Sequence, residues 1–67
     1  MDYYEITVKG HLKKKRFIMF EELEVSLQSD GKTKITGRID QPTLHAVIDH
    51  VRDLGLTLLS VKKGDKL

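Results

Sequence analysis

The sequence predicts an α+β fold, and three observations support that class. One stretch, residues 39–61, contains a helix start, an apolar helical stripe, a helix stop and a following strand. Three other stretches alternate apolar and polar residues with a period of two, which is typical of strands with one face on a core. A chain of 67 residues is also short enough to form a single domain, residues 1–67, with one small core. We expect the tail, residues 64–67, to fray.

The most strongly marked element is a helix from Gln41 to Leu54. Asp40 is placed to accept a hydrogen bond from the Thr43 amide as the N-cap, and Pro42 fits the first turn, where a missing N–H costs nothing. Gly55 supplies the left-handed residue that ends a helix in a Schellman motif. The residues predicted to face the core recur at helical spacing and are Leu44, Val47, Ile48, Val51 and Leu54.

The alternation predicts four strands. The first runs from about Tyr3 to His11, and Gly10 near its end indicates a bend or a close approach of backbone. The inward residues of the first three strands are Tyr4, Ile6, Val8, Leu23, Val25, Leu27, Thr33, Ile35, Gly37 and Ile39. In the fourth strand we expect one set to face inward and the other outward, namely Thr57, Leu59 and Val61 against Leu58, Ser60 and Lys62.

The turn between the second and third strands follows from the same pattern. A two-residue loop, Asp30-Gly31, would place Leu27 opposite Lys34 and mix apolar and charged residues on one face. A three-residue loop, residues 29–31, avoids this and puts Gly31 in the left-handed position of a type I turn with a G1 bulge. The predicted register aligns Leu27 with Thr33, Val25 with Ile35 and Glu22 with Arg38.

Residues 13–22 fit either a short buried strand or a short helix. We favour a helix at about 13–22, because Phe17 and Phe20 are spaced i, i+3 and the flanking Lys and Glu residues suit a helix better than a strand. Both aromatic side chains are then expected in the core, which a domain of this size needs.

The predicted order of elements is therefore strand, short helix, strand, strand, long helix, strand. A ferredoxin-like split βαβ arrangement satisfies it: a four-stranded antiparallel sheet in the order 4-1-3-2, with both helices on one face. A meander of the first three strands is the alternative if residues 13–22 form only a loop.

Two stretches also carry family resemblances. The motif Asp40-x-Pro42-x-Leu44, with the later Leu54-Gly55-Leu56 and Leu59-Ser60-Val61, resembles the helix-and-strand part of ACT regulatory domains, which are small ligand-sensing modules. The whole chain is similar to a family of small uncharacterised prokaryotic single-domain proteins, through residues 4–12, Asp30-Gly31-x-Thr33 and the block from Asp40 to Val61. This second resemblance implies a self-contained domain and no particular activity.

Composition argues against several classes of protein. The chain has no cysteine, which excludes disulfides, thiolate nucleophiles and cysteine-ligated metal. No apolar run approaches the ~20 residues of a transmembrane helix, and the N-terminus lacks a signal-peptide pattern. We therefore expect a cytoplasmic protein without a membrane partner. The formal charge of +2, from twelve basic and ten acidic residues, is too small to imply nucleic-acid binding by itself.

Catalytic and metal sites are not predicted. His45 with Asp49, and His50 with Asp53, are pairs on one helix whose side chains suit one side of a metal site or an acid–base pair. We favour the alternative that they lie on a solvated helix face with local charge pairing. A catalytic zinc site needs three protein ligands, and no third is evident. We expect no cofactor, since there is no glycine-rich phosphate loop, nucleophile elbow or triad.

A polyanion-binding surface is the main candidate site. It would comprise Lys9, Lys13, Lys14, Lys15, Arg16, Lys62 and Lys63. Solvated lysines beside Glu21 and Glu22 are the favoured alternative at this low net charge. Base stacking in the manner of an RNA-binding sheet is not expected, because the outer positions of the central strands hold Glu5, Thr7, Lys34 and Thr36, with Tyr3 only at the margin.

The preferred function is a small non-catalytic interaction or ligand-sensing module with a protein or small-molecule partner. Strands two and four are predicted edges and Leu58 is predicted to face outward, so a homodimer is also expected. Weak nucleic-acid or polyanion binding is the alternative but is not favoured. An enzyme using His45 or His50 is a third hypothesis.

Overall fold

The computed structural model describes residues 1–12, 20 and 22–64 and has an α+β fold. Its elements are β1 (Asp2–Lys9), β2 (Glu24–Leu27), β3 (Lys32–Ile39), α1 (Gln41–Asp53) and β4 (Thr57–Gly64). The strands form one antiparallel sheet in the order β2-β3-β1-β4. This is the predicted order read from the other edge, so the strand order is confirmed and the meander is wrong.

The predicted short helix at about 13–22 lies largely outside the described residues. The two described residues of that range, Phe20 and Glu22, are not helical, and the Phe20 carbonyl accepts a hydrogen bond from the Leu23 amide at 3.1 Å. The ferredoxin-like assignment requires that helix, so it stays a prediction. At the other end, Gly64 is the last residue of β4 and pairs with Tyr3, so the predicted frayed tail does not begin there.

One face of the sheet, here called the covered face, carries the core. Directly paired residues of neighbouring strands share a face, and the pairs Ile6–Ile35 and Val8–Thr33 are fully buried. The buried apolar residues are Tyr4, Ile6, Val8, Leu12, Leu23, Ile35, Ile39, Leu44, Val47 and Val51. Because three of these belong to α1, the helix lies over this face, as predicted.

Helix α1 begins and ends by the predicted capping interactions. The Thr43 amide donates to Asp40 Oδ1 at 2.9 Å, and hydrogen bonds from the Thr43 hydroxyl and amide lower the pKa of the Asp40 carboxyl below its ordinary value. At the other end, the Gly55 amide donates to the Arg52 carbonyl at 2.9 Å and the Leu56 amide to the Val51 carbonyl at 3.2 Å. These two bonds define a Schellman motif and confirm the predicted ending.

The β2–β3 hairpin has the predicted three-residue loop and register. Leu27 pairs with Thr33 and Val25 with Ile35, and Gly31 has φ +82°. The side chain of Leu27 was expected in the core, but it is 56% exposed. The expectation was wrong because β2 is an edge strand of only four residues, and Leu27 is its last residue, where the strand has a neighbour on one side only.

Gly37 allows the connection before β2 to cross the covered face closely. A Cβ atom at Gly37 would lie 2.6 Å from the carbonyl oxygen of Glu22 and 2.9 Å from Leu23 Cδ2. Both distances are shorter than van der Waals contact, so no larger residue fits without a shift of backbone. The glycine therefore lets Leu23 enter the core.

Thr33 is the buried polar residue of the core, and it joins β3 to the segment after β1. Its hydroxyl donates to the Gly10 carbonyl at 2.7 Å and accepts from the Leu12 amide at 3.1 Å. Gly10 has φ +99°. A Cβ atom built at Gly10 would lie 3.8 Å from Leu56 Cδ2, which is ordinary contact distance, so close approach of a neighbour does not require the glycine. Of the two predicted roles for Gly10, the bend is therefore the correct one.

A β-bulge in β4 changes the predicted facing of its first residues. Val61 pairs with Ile6 and Leu58 pairs with Val8, and the register shifts between these pairs. Both partners in β1 are buried, so Leu58 lies on the covered face and was wrongly predicted to face outward. The extra residue is Leu59, and it reverses the alternation for everything before it in the strand.

Candidate functional site

The second face of the sheet, here called the open face, is opposite α1. Its residues alternate with those of the covered face along the strands, except at the bulge in β4, and none of them is buried. They are Tyr3, Glu5, Thr7 and Lys9 on β1; Lys32, Lys34, Thr36 and Arg38 on β3; Glu24 and Ser26 on β2; and Thr57, Ser60, Lys62 and Gly64 on β4. Pairing fixes this arrangement, because direct partners share a face.

The open face is basic whereas the rest of the described chain is acidic. The open face has five basic and two acidic side chains, a formal charge of +3. The remaining described residues have two basic side chains, Arg52 and Lys63, and six acidic ones, a formal charge of −4. Those six are Asp2, Glu22, Asp30, Asp40, Asp49 and Asp53. Over the described residues the charges sum to −1, and this small value conceals the contrast between the open face and the other described residues.

Three of the five cations on the open face have no ion pair within the part of the chain that the structure describes: Lys9, Arg38 and Lys62. The other two have carboxylate partners, one partly exposed and one exposed. Lys34 Nζ lies 3.4 Å from Glu5 Oε1 and Lys32 Nζ lies 3.4 Å from Asp30 Oδ2. Exposed pairs of this kind contribute little to stability, so these lysines also remain accessible to an anion.

The structure brings together only part of the predicted polyanion-binding set. Lys9 and Lys62 lie on the open face, whereas Lys63 pairs with the buried Tyr4 and so lies on the other side, where its Nζ is 3.3 Å from Asp2 Oδ2. The run from Lys13 to Arg16 lies outside the described residues.

The sequence analysis missed Lys32, Lys34 and Arg38 as members of the site. They occupy alternate positions of β3, and the pairing of β1 with β3 places them on the same face as Lys9. The predicted register covered the second and third strands only, and these three charges are not consecutive in the sequence.

Aromatic character on the open face is limited to Tyr3. A Cβ atom at Gly64 would lie 3.4 Å from Tyr3 Cδ2, which shows that the ring lies against that glycine at the end of the sheet. Among the described residues of this face there is no second ring. The face therefore lacks the set of rings that stacks successive bases in RNA-binding sheets.

The two histidines of α1, His45 and His50, have different neighbours. His45 and Asp49 border a shallow, open depression with Ile48 and Arg52, and Arg52 Nη1 lies 3.6 Å from Asp49 Oδ1. The ring of His50 contacts Phe20 edge-on, with centroids 6.0 Å apart. Over residues 1–12, 20 and 22–64, no three His, Asp or Glu side chains are grouped to hold a metal ion.

The remaining histidine, His11, lies near the hairpin loop. Its Nε2 is 3.0 Å from the carbonyl oxygen of Gln28. That interaction joins the end of β1 to the β2–β3 loop and leaves His11 apart from the histidines of α1. The described part of the chain also has no helix with the length and apolar character that crossing a bilayer requires.

The geometry defines a class of small α+β domain in which an antiparallel sheet has one helix-covered face and one open, basic face. The chain belongs to the family described as Domain of unknown function (DUF8691), whose sequence model matches residues 3–62. The matched range contains β2, β3 and α1 and all but the outermost residues of β1 and β4. No curated protein and no solved structure gives a significant match to the chain.

Proposed function

We propose that this chain is a non-catalytic binding module whose open face binds the phosphate backbone of nucleic acid. The observation that carries the proposal is the separation of charge: +3 on the open face against −4 on the other described residues. A fold does not need such a separation, and exposed charges of one sign repel each other. A polymer with regularly repeated negative charge fits such a surface.

The spacing of the cations supports a polymer rather than a single small ligand. Residues two apart on one strand are separated by about 6.6 to 6.8 Å, and neighbouring strands by about 4.8 Å. Arg38 and Lys9 stand at opposite ends of the β1–β3 ladder, in the pairs Tyr3–Arg38 and Lys9–Lys32. The cations are therefore spread over the whole length of the sheet.

The expected binding is weak and insensitive to base sequence. Contacts to phosphate position a protein without reading bases, and the open face has a single tyrosine at its margin for stacking. With three to five phosphate contacts, the logarithm of the association constant should fall with the logarithm of salt concentration with a slope of about −2 to −4 for a single strand.

Lys62 and Lys63 provide the sharpest test, because they are adjacent in sequence and lie on opposite faces. We expect Lys62→Gln to weaken binding of a fluorescent single-stranded oligonucleotide by about threefold to tenfold at low salt, since one phosphate contact is lost. The control Lys63→Gln removes the same charge and should change affinity by less than about twofold. Fluorescence anisotropy over a salt series measures both. Equal effects of the two variants, or no binding at about 25 mM salt, would refute the proposal.

The second candidate function is self-association, in which the predicted interaction module forms a homodimer through β4. β4 is an edge strand on which Leu58, Leu59 and Val61 are 38%, 45% and 38% exposed. Burying such side chains against a second copy would add to a small core. The interaction module would alternatively bind a protein or a small molecule, as an ACT-like ligand sensor does. The exposed apolar side chains of β4 favour the dimer, and the described residues offer no similar observation for these other partners.

Light scattering at high micromolar concentration tests the dimer. The wild-type protein should have twice the monomer mass, and Leu59→Lys should restore the monomer. Leu27→Lys is the matched control, because Leu27 is an exposed leucine on the opposite edge strand. A monomeric wild-type protein, or dissociation caused equally by both variants, would exclude β4 as the interface. We place either activity in the cytoplasm, which agrees with the absence of cysteine from the sequence.

A further inference from the structure

We infer that Lys9 and Lys32 together form an anchor for a single phosphate group at one end of the open face. The inference rests on the proposed function in one respect: the phosphate would normally belong to the nucleic-acid backbone. It goes further in naming the point of the face where binding is strongest. It also makes a claim about the free protein, since the anchor should respond to inorganic phosphate alone.

Two like charges stand directly opposite each other at this end of the sheet. Lys9 and Lys32 form the last pair of the β1–β3 ladder and both are exposed on the same face. Directly opposed side chains of an antiparallel pair have Cβ atoms about 4.5 to 5.5 Å apart, and like charges in that position are destabilising. An anion bound between the two ammonium groups would remove the repulsion.

The neighbouring cations each have one carboxylate partner, which is partly exposed at Glu5 and exposed at Asp30. Lys34, diagonal to Lys9, has its ammonium group beside Glu5, one pair further along the sheet. Lys32 has Asp30, in the hairpin loop, at 3.4 Å, with both side chains about half exposed. Lys9 has no carboxylate partner among the described residues, so the positive charge at this end of the sheet is not fully balanced.

The backbone beneath the pair is fixed on both strands. The Gly10 amide donates to the Gly31 carbonyl at 2.8 Å, which extends the ladder beyond the last pair. Thr33, next to Lys32, donates its hydroxyl to the Gly10 carbonyl at 2.7 Å. Because the backbones of the two strands are held together at this point, the two lysines stay opposite each other, and one bound phosphate is within reach of both side chains.

The other cations of the open face do not share this arrangement. Lys62 pairs with Glu5, which has the opposite charge, and Arg38 pairs with Tyr3. The Lys9–Lys32 pair is therefore distinguished from them by its direct partner, and Lys62 serves as the matched control for each experiment.

Thermal unfolding in inorganic phosphate, compared with chloride at equal ionic strength, tests the anchor. We expect phosphate to raise the melting temperature of the wild-type protein by about 2 °C when its concentration equals Kd. Lys9→Gln should have a higher melting temperature than wild type at low salt without phosphate, because the repulsion is gone, and should lose the response to phosphate. Lys32→Gln should lose the response as well, and Lys62→Gln should keep it. An equal effect of phosphate and chloride, or a response that survives in both Lys9→Gln and Lys32→Gln, would overturn the inference.

Oligonucleotide binding to the same variants separates this inference from the proposed function. If the anchor is correct, Lys9→Gln should weaken binding of a single strand more than Lys62→Gln does. Binding in which the two variants lose affinity equally would refute the anchor and leave the open face as the binding surface. A phosphate response through Lys9 without any oligonucleotide binding would support the anchor as a site for free phosphate or a phosphate monoester and refute the proposed function.

Discussion

The two faces of the sheet are built from the same strands, but one is buried and apolar and the other is accessible to solvent and polar. On the covered face, Ile6 and Ile35 form a direct pair that is completely buried, and apolar residues are required there. One position further along each strand, Thr7 and Lys34 form a direct pair on the open face, where none of the residues is buried. Burial thus explains the first face, whereas nothing in the folding of the chain requires the second face to be basic. The residues of the open face are therefore not fixed by burial, and this is the face to which we assign the proposed binding.

The largest expected effect comes from a cavity on the covered face. Ile35→Ala removes methyl groups from a residue with no exposed surface and should lower the free energy of unfolding by about 2 to 5 kcal/mol. Thr36→Ala, the next residue and on the open face, should lower it by no more than about 1 kcal/mol. Urea denaturation measures both. If Ile35→Ala is too unstable to study, Ile35→Val should cost about 0.5 to 1.5 kcal/mol. Equal losses on the two faces would contradict the comparison.

A second contrast uses two glycines. Gly37→Ala on the covered face would place a methyl group 2.6 Å from the Glu22 carbonyl oxygen, and we expect a cost toward the upper end of the about 1 to 3 kcal/mol typical of overpacking. Gly64→Ala on the open face would meet Tyr3 at 3.4 Å and should be much better tolerated. Denaturant midpoints of the two variants measure the difference, and a tolerated alanine at residue 37 would show that Leu23 and its backbone can shift.

A third contrast makes the same substitution on each face. Thr33→Val leaves the Gly10 carbonyl and the Leu12 amide without the partner that they have in the described structure, and it should cost about 1 to 3 kcal/mol. Thr7→Val on the open face should be close to neutral, because valine suits a strand at least as well as threonine. Hydrogen exchange at the Leu12 amide should also accelerate in Thr33→Val. A neutral result at Thr33 would mean that water replaces both bonds.

The smallest effect is expected at Asp40, which belongs to neither face. Asp40→Ala removes the N-cap of α1 and should lower the melting temperature at neutral pH by less than any of the covered-face variants. Because hydrogen bonds lower the pKa of this carboxyl in the folded protein, its contribution is present above the ordinary carboxyl pKa and is lost as pH falls through the lowered value. The difference from wild type should therefore shrink on acidification. Asp53→Ala, an exposed acid at the other end of the helix, is the control and should show no such loss of stability at neutral pH.

The covered face could be predicted from the sequence wherever burial fixes the period of the pattern. The alternation in β1 and β3 and the caps at Asp40 and Gly55 led to the strand order, the hairpin register and the helix. In β4 the same reasoning failed, because Leu58 and Leu59 are both apolar and a strand that contains both can be read in either phase. The bulge that decides the phase arises from pairing with β1, which a single strand does not reveal.

The candidate site was only partly predictable for a related reason. Lys9 and Lys62 were identified as basic residues near other basic residues, and Lys63 was included although it lies on the opposite face. Charges that are close in the sequence form runs, whereas the charges on one face of a sheet come from alternate positions of several strands. The grouping of Lys32 and Arg38 with Lys9 depends on the register of β1 with β3, which was not predicted.

The extra residue at Leu59 also limits how far such sheets can extend from one molecule to the next. A bulge bends its strand and increases the local twist, so only the regular part of β4, from Ser60 onward, presents evenly spaced backbone groups along its outer edge. An incoming strand would find a short stretch to pair with, and that stretch contains Lys62 and Lys63, whose charges disfavour pairing with a like strand. The bulge therefore restricts backbone pairing along β4 to a few residues, which disfavours growth into fibres.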